Sequence, residues 1–173
     1  MSSEPSVPLA EVPAAVSDQL ARLEAPPEAV QSKLYQALAN QPELLTGWIE
    51  FAWRVRQKCS TPARLRELMI VRAMQITNCQ SELVGHLNRA AAAGVTKNEL
   101  DEVATWRSSA AFSARERAAL RFAEEMVSGG VSDSTNSELA AHFDAAERVE
   151  LILTAGLYVM VPCVVDALRL AKQ

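Results

Sequence analysis

Helix-start signals constrain the fold of this chain more than any other feature. Three segments, Thr96-x-x-Glu99, Ser113-x-x-Glu116 and Asp144-x-x-Glu147, place a short polar residue three positions ahead of a glutamate, as in the first turn of many α-helices. Pro42 and Pro62 mark two further starts, because proline fits the first helical position. No stretch shows the sustained alternation of apolar and polar residues that is typical of strands. The sequence therefore predicts an all-α fold of about eight helices.

The same signals predict where individual helices begin and end. The fourth helix follows Thr61-Pro62 and is apolar over much of its circumference, which predicts a central position. Asn78 is predicted to cap the fifth helix, Cys79–Ala93, which ends in a left-handed cap at Gly94. Pro162 removes a backbone hydrogen bond from the last helix and should kink or split it. Earlier helices are predicted over Pro13–Leu23, over Pro26–Ala39 and from Pro42 onward.

The size of the chain favours a single compact domain. Its 173 residues, 49% of them hydrophobic, suffice to bury one core. The polar, Pro-rich start predicts a flexible segment over residues 1–12 and a helical domain over residues 13–173. The net charge of −4, without a basic stripe, argues against nucleic acid as a partner.

Targeting and membrane signals are weak. The N-terminus lacks the cationic start and apolar run of a signal peptide. The longest uncharged apolar run, Leu151–Val165, is shorter than the roughly 20 residues that cross a bilayer, so it predicts a buried helix or a contact between copies. Three cysteines without an export signal indicate a reducing compartment with at least one free thiol. We therefore expect a cytoplasmic protein with no membrane partner.

Cys79, Glu82 and His86 form the candidate functional stripe. Their spacings of three and four residues place them within about 60° on one face of a helix. The helix start at Cys79 favours a thiolate. Glu82 and His86 project from a face otherwise suited to burial, so they need partners, and Glu67 and Arg72 on the preceding helix are the nearest candidates.

This stretch resembles the carboxymuconolactone decarboxylase family, which includes the alkylhydroperoxidase AhpD. The resemblance extends over most of the chain, and its specific part is the spacing of Glu67, Cys79, the third position after Cys79, and His86. It implies an AhpD-like helical bundle that acts on a small molecule and assembles with itself as a dimer, trimer or hexamer. The segments that carry it are Arg64-Leu65-Arg66-Glu67-Leu68, Val71-Arg72, Asn78-Cys79-Gln80-Ser81-Glu82, His86 and Ala93-Gly94-Val95.

One departure from the peroxidase members changes the predicted chemistry. Their motif is Cys-x-x-Cys, with a glutamate and a histidine relaying protons to the thiols, whereas Glu82 stands at the second cysteine position here. A single thiol cannot form the local disulfide that resolves a sulfenic acid. Cys59 or Cys163 could replace the missing thiol only within disulfide reach of Cys79.

The resemblance to the decarboxylase members therefore carries more weight. Decarboxylation without a cofactor or metal needs an anion anchor and an acid that protonates the carbon losing carbon dioxide. The resemblance implies that His86 supplies the proton, that Glu82 or Glu67 tunes it, and that Arg72 holds a carboxylate. Ser81 and Leu83 replace aromatic residues that often flank this motif, which indicates a substrate other than carboxymuconolactone.

Other interpretations of the same residues stay open. The chain could be a peroxiredoxin-type peroxidase that uses Cys79 with a non-local or external resolving thiol, or a non-catalytic binding or assembly protein on the family scaffold. Glu67 and Arg72 could form a purely structural ion pair. Cys79, Glu82 and His86 could also be zinc ligands, although their spacing follows no known motif.

Overall fold

The computed structural model describes residues 4–170, in which it shows nine α-helices, two 3₁₀-helices and no strand. The all-α prediction is confirmed, with one helix more than expected. The helices are α1 (Ala14–Arg22), α2 (Lys33–Leu38), α3 (Pro42–Gln57), α4 (Ala63–Ile76), α5 (Gln80–Ala92), α6 (Lys97–Glu102), α7 (Ala114–Val127), α8 (Asp133–His142) and α9 (Ala145–Ala167), with 3₁₀-helices at Pro27–Gln31 and Val103–Thr105.

The chain divides into two compact units. The first unit comprises the described residues of Met1–Lys58 and Cys163–Gln173, and the central unit comprises Cys59–Pro162. Near the N-terminus, the backbone N–H of Ser6 donates to the carbonyl of Leu168 at 3.0 Å, within the first unit. The predicted boundary between a flexible start and one domain at residue 13 stays a prediction.

Two predicted helices differ from the structure. The second, Pro26–Ala39, is a 3₁₀-helix at Pro27–Gln31 followed by α2, because Ser32 has the extended ψ of 124° and interrupts the helical backbone. The last helix is not split, since α9 is continuous through Pro162. One missing hydrogen bond at Pro162 is therefore insufficient to end a helix of 23 residues.

The core of the first unit is built around α3. Apolar residues recur along it at helical spacing, and those that face inward are completely or almost completely buried: Leu45, Ile49, Ala52 and Val55. The indole N–H of Trp53 donates to the Tyr35 hydroxyl of α2 at 3.2 Å. The two helices are thus joined by a polar contact as well as by apolar packing.

Helix α4 is the centre of the central unit, as its apolar circumference predicted. Leu65 and Met69 belong to a cluster with residues of α7, α8 and α9, whereas Leu68 and Val71 belong to a second cluster with residues of α5, α7 and the α6–α7 region. Each such buried side chain contributes about 1.5–3 kcal/mol to folding. The helix that carries Glu67 is therefore packed against two different clusters.

Arg64 joins two capping boxes in the central unit. Thr96 and Glu99 exchange hydrogen bonds at the start of α6, and Ser113 and Glu116 do so at the start of α7, as predicted. The Arg64 guanidinium donates to Glu99 at 2.5 Å and to Glu116 at 2.8 Å. This hydrogen bond lowers the pKa of Glu99 to about 2, against the opposing effect of burial. The positive charge at Arg64 thus stabilises two helix starts at once.

Glu150 of α9 closes the start of α4. Its carboxylate accepts from the backbone N–H of Ser60 at 2.7 Å and of Thr61 at 2.8 Å, just ahead of a Pro62 that offers no side-chain cap. Burial acts to raise the pKa of Glu150, but these hydrogen bonds outweigh it and lower the pKa to about 2. A residue distant in sequence therefore supplies the cap that the local sequence lacks.

Helix α9 combines a buried face with an exposed apolar one. Leu151, Ala155 and Tyr158 are buried, whereas Val149, Ile152, Leu153 and Met160 are exposed. By length and composition alone, α9 is apolar enough to cross a bilayer, and 44% of its most apolar 18 residues is buried in the structure. Such a profile is also that of a soluble protein's core helix.

Candidate functional site

The turn between α4 and α5 sets the position of Cys79. Asn78 has a φ of 53°, its N–H donates to Gln75, and the N–H of Cys79 donates to the carbonyl of Met74 at 3.0 Å. This is the left-handed ending of α4, which asparagine tolerates. The prediction that Asn78 caps α5 is therefore wrong, because Cys79 occupies that position and its side chain makes no capping bond.

Glu67 and His86 form the centre of the candidate site. The His86 Nδ1 atom lies 2.8 Å from the Glu67 Oε2 atom, so helices α4 and α5 are joined by a hydrogen bond. The His86 side chain is completely buried, whereas that of Glu67 is 14% exposed. The expectation that Glu67 is a partner of His86 is confirmed. Of the two groups, only Glu67 reaches solvent.

Tyr158 of α9 packs against His86 and was not identified from sequence. The two rings are 4.6 Å apart between centroids and nearly perpendicular, at 87°. Edge-to-face packing of this kind restrains the imidazole ring in one orientation. In the sequence Tyr158 lies in an apolar helical run, and nothing local distinguishes it from core residues.

Cys79 lies at the start of α5 and Glu82 in its first turn. Neither side chain takes part in the hydrogen bond between Glu67 and His86. Cys79 is buried, and its Sγ atom lies 3.7 Å from the Ser81 hydroxyl. Glu82 is half-buried and makes no side-chain hydrogen bond or ion pair with any residue in the described range 4–170. Within that range no three His, Cys, Asp or Glu side chains are grouped so that they could hold a metal ion, and the zinc interpretation loses its basis.

Cys79 forms no disulfide with either of the other two cysteines. None of the three forms a disulfide within the described residues 4–170: Cys59 is half-buried, Cys79 buried and Cys163 exposed. Cys59 belongs to the central unit, and burial raises the pKa of its thiol. Cys163 belongs to the first unit. A resolving role for either thiol stays a prediction.

Arg72 does not pair with Glu67, contrary to the structural interpretation drawn from the sequence. Its Nε atom donates to Glu124 of α7 at 2.6 Å, and its Nη1 atom to Gln75 at 3.4 Å. Glu124 also accepts from the indole N–H of Trp106 at 2.9 Å. Burial acts to raise the pKa of Glu124, but these bonds lower it. The role of Arg72 as a substrate anchor stays a prediction.

Arg89 is the cation nearest to the Glu67–His86 pair, and the sequence analysis missed it. Its Nε atom lies 3.9 Å from the Glu67 Oε1 atom, and its side chain is 49% exposed. The spacing from His86 to Arg89 is three residues, which places both on one side of α5. That spacing was the signal that could have identified Arg89 from sequence.

The segment that carries the candidate site is similar in sequence to a known protein family. Residues 42–125, which include Glu67, Cys79, Glu82 and His86, match the model of the carboxymuconolactone decarboxylase family. The matched segment, 84 of the 173 residues, carries the sequence pattern of this family. The resemblance inferred from the motif spacing is thereby confirmed.

A curated relative is an uncharacterised protein, YnjA of Escherichia coli strain K12. The two are 32% identical over 116 residues, which cover 66% of this chain and 61% of the relative. The chain thus matches less than two thirds of the length of this relative.

Solved structures share the fold. The debrominase Bmp8, as a cysteine-to-alanine variant in complex with 2,3,4-tribromopyrrole, has a TM-score of 0.79 at 13% identity, over 99% of this chain and 93% of its own. A peroxidase-related protein from Silicibacter sp. TM1040 has a TM-score of 0.78 at 19% identity, over 99% and 91%. A protein of unknown function from Agrobacterium tumefaciens, proposed to be the antioxidant defence protein AhpD, has a TM-score of 0.70 at 21% identity, over 79% and 94%. The fold is therefore AhpD-like.

Proposed function

We propose that this protein is a carboxymuconolactone decarboxylase-family enzyme that transfers protons, without a cofactor, to or from a small carboxylated lactone or carbonyl compound. The observation that carries the proposal is the 2.8 Å hydrogen bond between a completely buried His86 and a partly exposed Glu67. A buried imidazole bonded to a carboxylate is a common arrangement for general acid–base catalysis.

The difference in exposure assigns distinct roles to the two groups. Glu67 is 14% exposed and is the member of the pair that a ligand can touch, whereas His86 lies behind it. We therefore assign substrate protonation to Glu67 and proton exchange with Glu67 to His86. Tyr158 restrains the His86 ring, which keeps Nδ1 directed at the carboxylate. The sequence prediction gave the proton-donating role to His86 itself.

For a decarboxylation, the proposed step is balanced without a further reactant. The bond between the substrate carboxylate and its carbon breaks, and carbon dioxide leaves. The electron pair remains on that carbon and takes the proton that Glu67 holds in its hydrogen bond with His86. A proton from water then restores the pair. A substrate whose carbanion is stabilised by a neighbouring carbonyl fits this step.

Glu82 supports proton transfer over dithiol chemistry. It stands three residues after Cys79, at the second thiol position of the peroxidase motif, and it makes no side-chain bond to residues 4–170. A carboxylate at this place can contact substrate or exchange protons, but it cannot resolve an oxidised Cys79. By their positions in the motif, the proposed site residues are thus two carboxylates, Glu67 and Glu82, and one thiol, Cys79.

Turnover of carboxymuconolactone and of smaller carboxylated lactones, followed as carbon dioxide release, tests the proposal. Glu67→Gln should lower turnover by about 10²–10⁴-fold, because the amide cannot deliver the proton. Glu43→Gln, at an exposed position on α3, is the matched control and should leave turnover unchanged. Full activity of Glu67→Gln would contradict the assignment of Glu67.

Thiol chemistry at Cys79 is the second candidate. Its support is the 3.7 Å contact between the Cys79 thiol and the Ser81 hydroxyl, together with the fold shared with Bmp8, a debrominase studied as a cysteine-to-alanine variant. Peroxide titration followed by mass spectrometry tests this candidate. Oxidation of Cys79 to a sulfenic acid before the exposed Cys163 reacts would support it. Oxidation of Cys163 alone would exclude it.

We also propose that copies of the chain assemble with one another through the exposed apolar side of α9. Val149, Ile152 and Leu153 follow one another at helical spacing and are 55%, 44% and 42% exposed. Apolar surface of this kind commonly marks an interface. Light scattering of the protein and of Ile152→Glu should show an assembly that the charge disrupts, and an unchanged mass would contradict the proposal.

A further inference from the structure

Arg89 differs from the other arginines of the central unit in how its guanidinium is used. Each of the others donates at least one hydrogen bond: Arg64, Arg66, Arg72, Arg107, Arg115, Arg117, Arg121 and Arg148. Arg89 donates none to any residue in the described part of the chain, 4–170. Its ion pair with Glu67, at 3.9 Å between Nε and Oε1, is too long for a hydrogen bond.

The backbone beneath Arg89 leaves space for its guanidinium. A Cβ atom added to Gly85 would lie 3.4 Å from the Arg89 Nη2 atom and 3.7 Å from Nη1. The guanidinium therefore lies at ordinary van der Waals distance from the place where a side chain at Gly85 would begin, one turn from its own Cα. A side chain longer than alanine at Gly85 would occupy that place. Because the Arg89 side chain is 49% exposed, a ligand can reach it there.

The Glu67 carboxylate divides its oxygen atoms between two neighbours. Its Oε2 atom bonds to His86, and its Oε1 atom faces Arg89. A guanidinium binds a carboxylate through two parallel N–H···O bonds, and this geometry needs donors that are not already used. We propose that Arg89, seated over Gly85, binds the carboxylate of the substrate and thereby selects small carboxylates for the Glu67–His86 pair.

This inference rests on the proposed function, which it deepens by naming the group that recognises the substrate. Binding of benzoate tests Arg89 separately from turnover, because benzoate is a small ring carboxylate that needs no reaction to be detected. Benzamide, of the same shape but neutral, is the matched ligand. Chemical shifts of the Arg89 side-chain Nε–H group and of the backbone amides of α5 follow both titrations.

Benzoate should bind with millimolar affinity and shift the Arg89 Nε–H resonance, whereas benzamide should not. Arg89→Gln should weaken benzoate binding by at least about tenfold, and Arg89→Lys by less, because lysine keeps the charge but loses the paired donors. Gly85→Leu should weaken it although Arg89 is present, because the leucine displaces the guanidinium. Arg22→Gln, at an exposed arginine of the first unit, is the control and should bind as the unchanged protein does.

Several results would overturn the inference. These are equal binding of benzamide, undiminished benzoate binding by Arg89→Gln, or weakening by Arg72→Gln alone. Benzoate binding that depends on Arg89, in a protein that turns over no lactone acid, would leave the anion site standing and remove the proposed function. Turnover that needs Glu67 but not Arg89 would support the proposed function and remove the proposed anion site.

Discussion

Helix α4 carries two charged groups three residues apart that are used in opposite ways. Arg64 donates to Glu99, to Glu116 and to the carbonyl of Gly94, and each of these partners belongs to a helix end. Among the described residues, the Glu67 carboxylate shares one hydrogen bond, with His86, and forms a longer ion pair with Arg89 at 3.9 Å. The Arg64 cluster uses its charges to hold helices together. Beside Glu67, the half-exposed Arg89 guanidinium keeps the donors that our proposal assigns to a substrate carboxylate.

The largest effect expected from this contrast is on turnover. Glu67→Gln and His86→Gln should each lower decarboxylation by about 10²–10⁴-fold, and the double variant should lose little more, because the two groups act as one unit. Steady-state rates of the four proteins measure the coupling. Losses that multiply in the double variant would show that Glu67 and His86 act independently.

The next effect is on stability and concerns the Arg64 cluster. Arg64→Leu should lower the free energy of unfolding by about 2–4 kcal/mol, because it leaves two largely enclosed glutamates without their cation. Urea unfolding measures this loss. Arg54→Leu, which removes a pair with side chains 62% and 41% exposed, is the matched control and should lower the free energy of unfolding far less, because solvent screens this pair. Equal losses in the two variants would remove the distinction between the clusters.

A smaller effect is expected for Glu150, whose carboxylate caps α4 ahead of both clusters. Its pKa is about 2 in the folded protein, below the ordinary value of 4.5, so its contribution to stability is complete above pH 4.5 and is lost as the pH falls towards 2. Glu150→Gln should unfold about 1–2 kcal/mol more easily at neutral pH.

Urea unfolding at several pH values tests the Glu150 prediction. The stabilities of the unchanged protein and of Glu150→Gln should converge as the pH approaches 2, because protonated glutamate resembles glutamine in charge. A constant difference over that interval would show that Glu150 acts by packing and not by its charge.

The smallest effect on stability is expected at Glu82, whose side chain makes no hydrogen bond or ion pair with the described residues. Glu82→Cys should change the free energy of unfolding by less than about 0.5 kcal/mol and should allow a disulfide with Cys79 under peroxide, because the thiols are then three residues apart at a helix start. Mass spectrometry after alkylation counts the remaining thiols. Val84→Cys, on an exposed position, should form no such disulfide. If Glu82→Cys stays reduced, the missing thiol is not what separates this site from dithiol chemistry.

The sequence by itself determined most of the helices and the resemblance to the family whose model matches residues 42–125. Capping boxes at Thr96 and Ser113, proline at the start of α3, and the glycine after α5 act within a few residues, so their effects are readable locally. The motif spacing from Glu67 to His86 is also local, since it spans two consecutive helices. Local signals failed where two of them competed, as at Asn78, whose left-handed backbone ends α4 and does not begin α5.

Only the tertiary structure decided which charged groups meet. Glu150 caps a helix that begins almost ninety residues earlier, Arg72 bonds to Glu124 of α7, and Tyr158 of α9 packs on His86. These contacts depend on how helices distant in sequence pack, and the pattern of a single helix does not contain that information. The physical reason is that charged side chains pair with whatever the packed core brings within reach. In this protein the packed core gave Arg72 a structural partner and left Arg89 beside the candidate site.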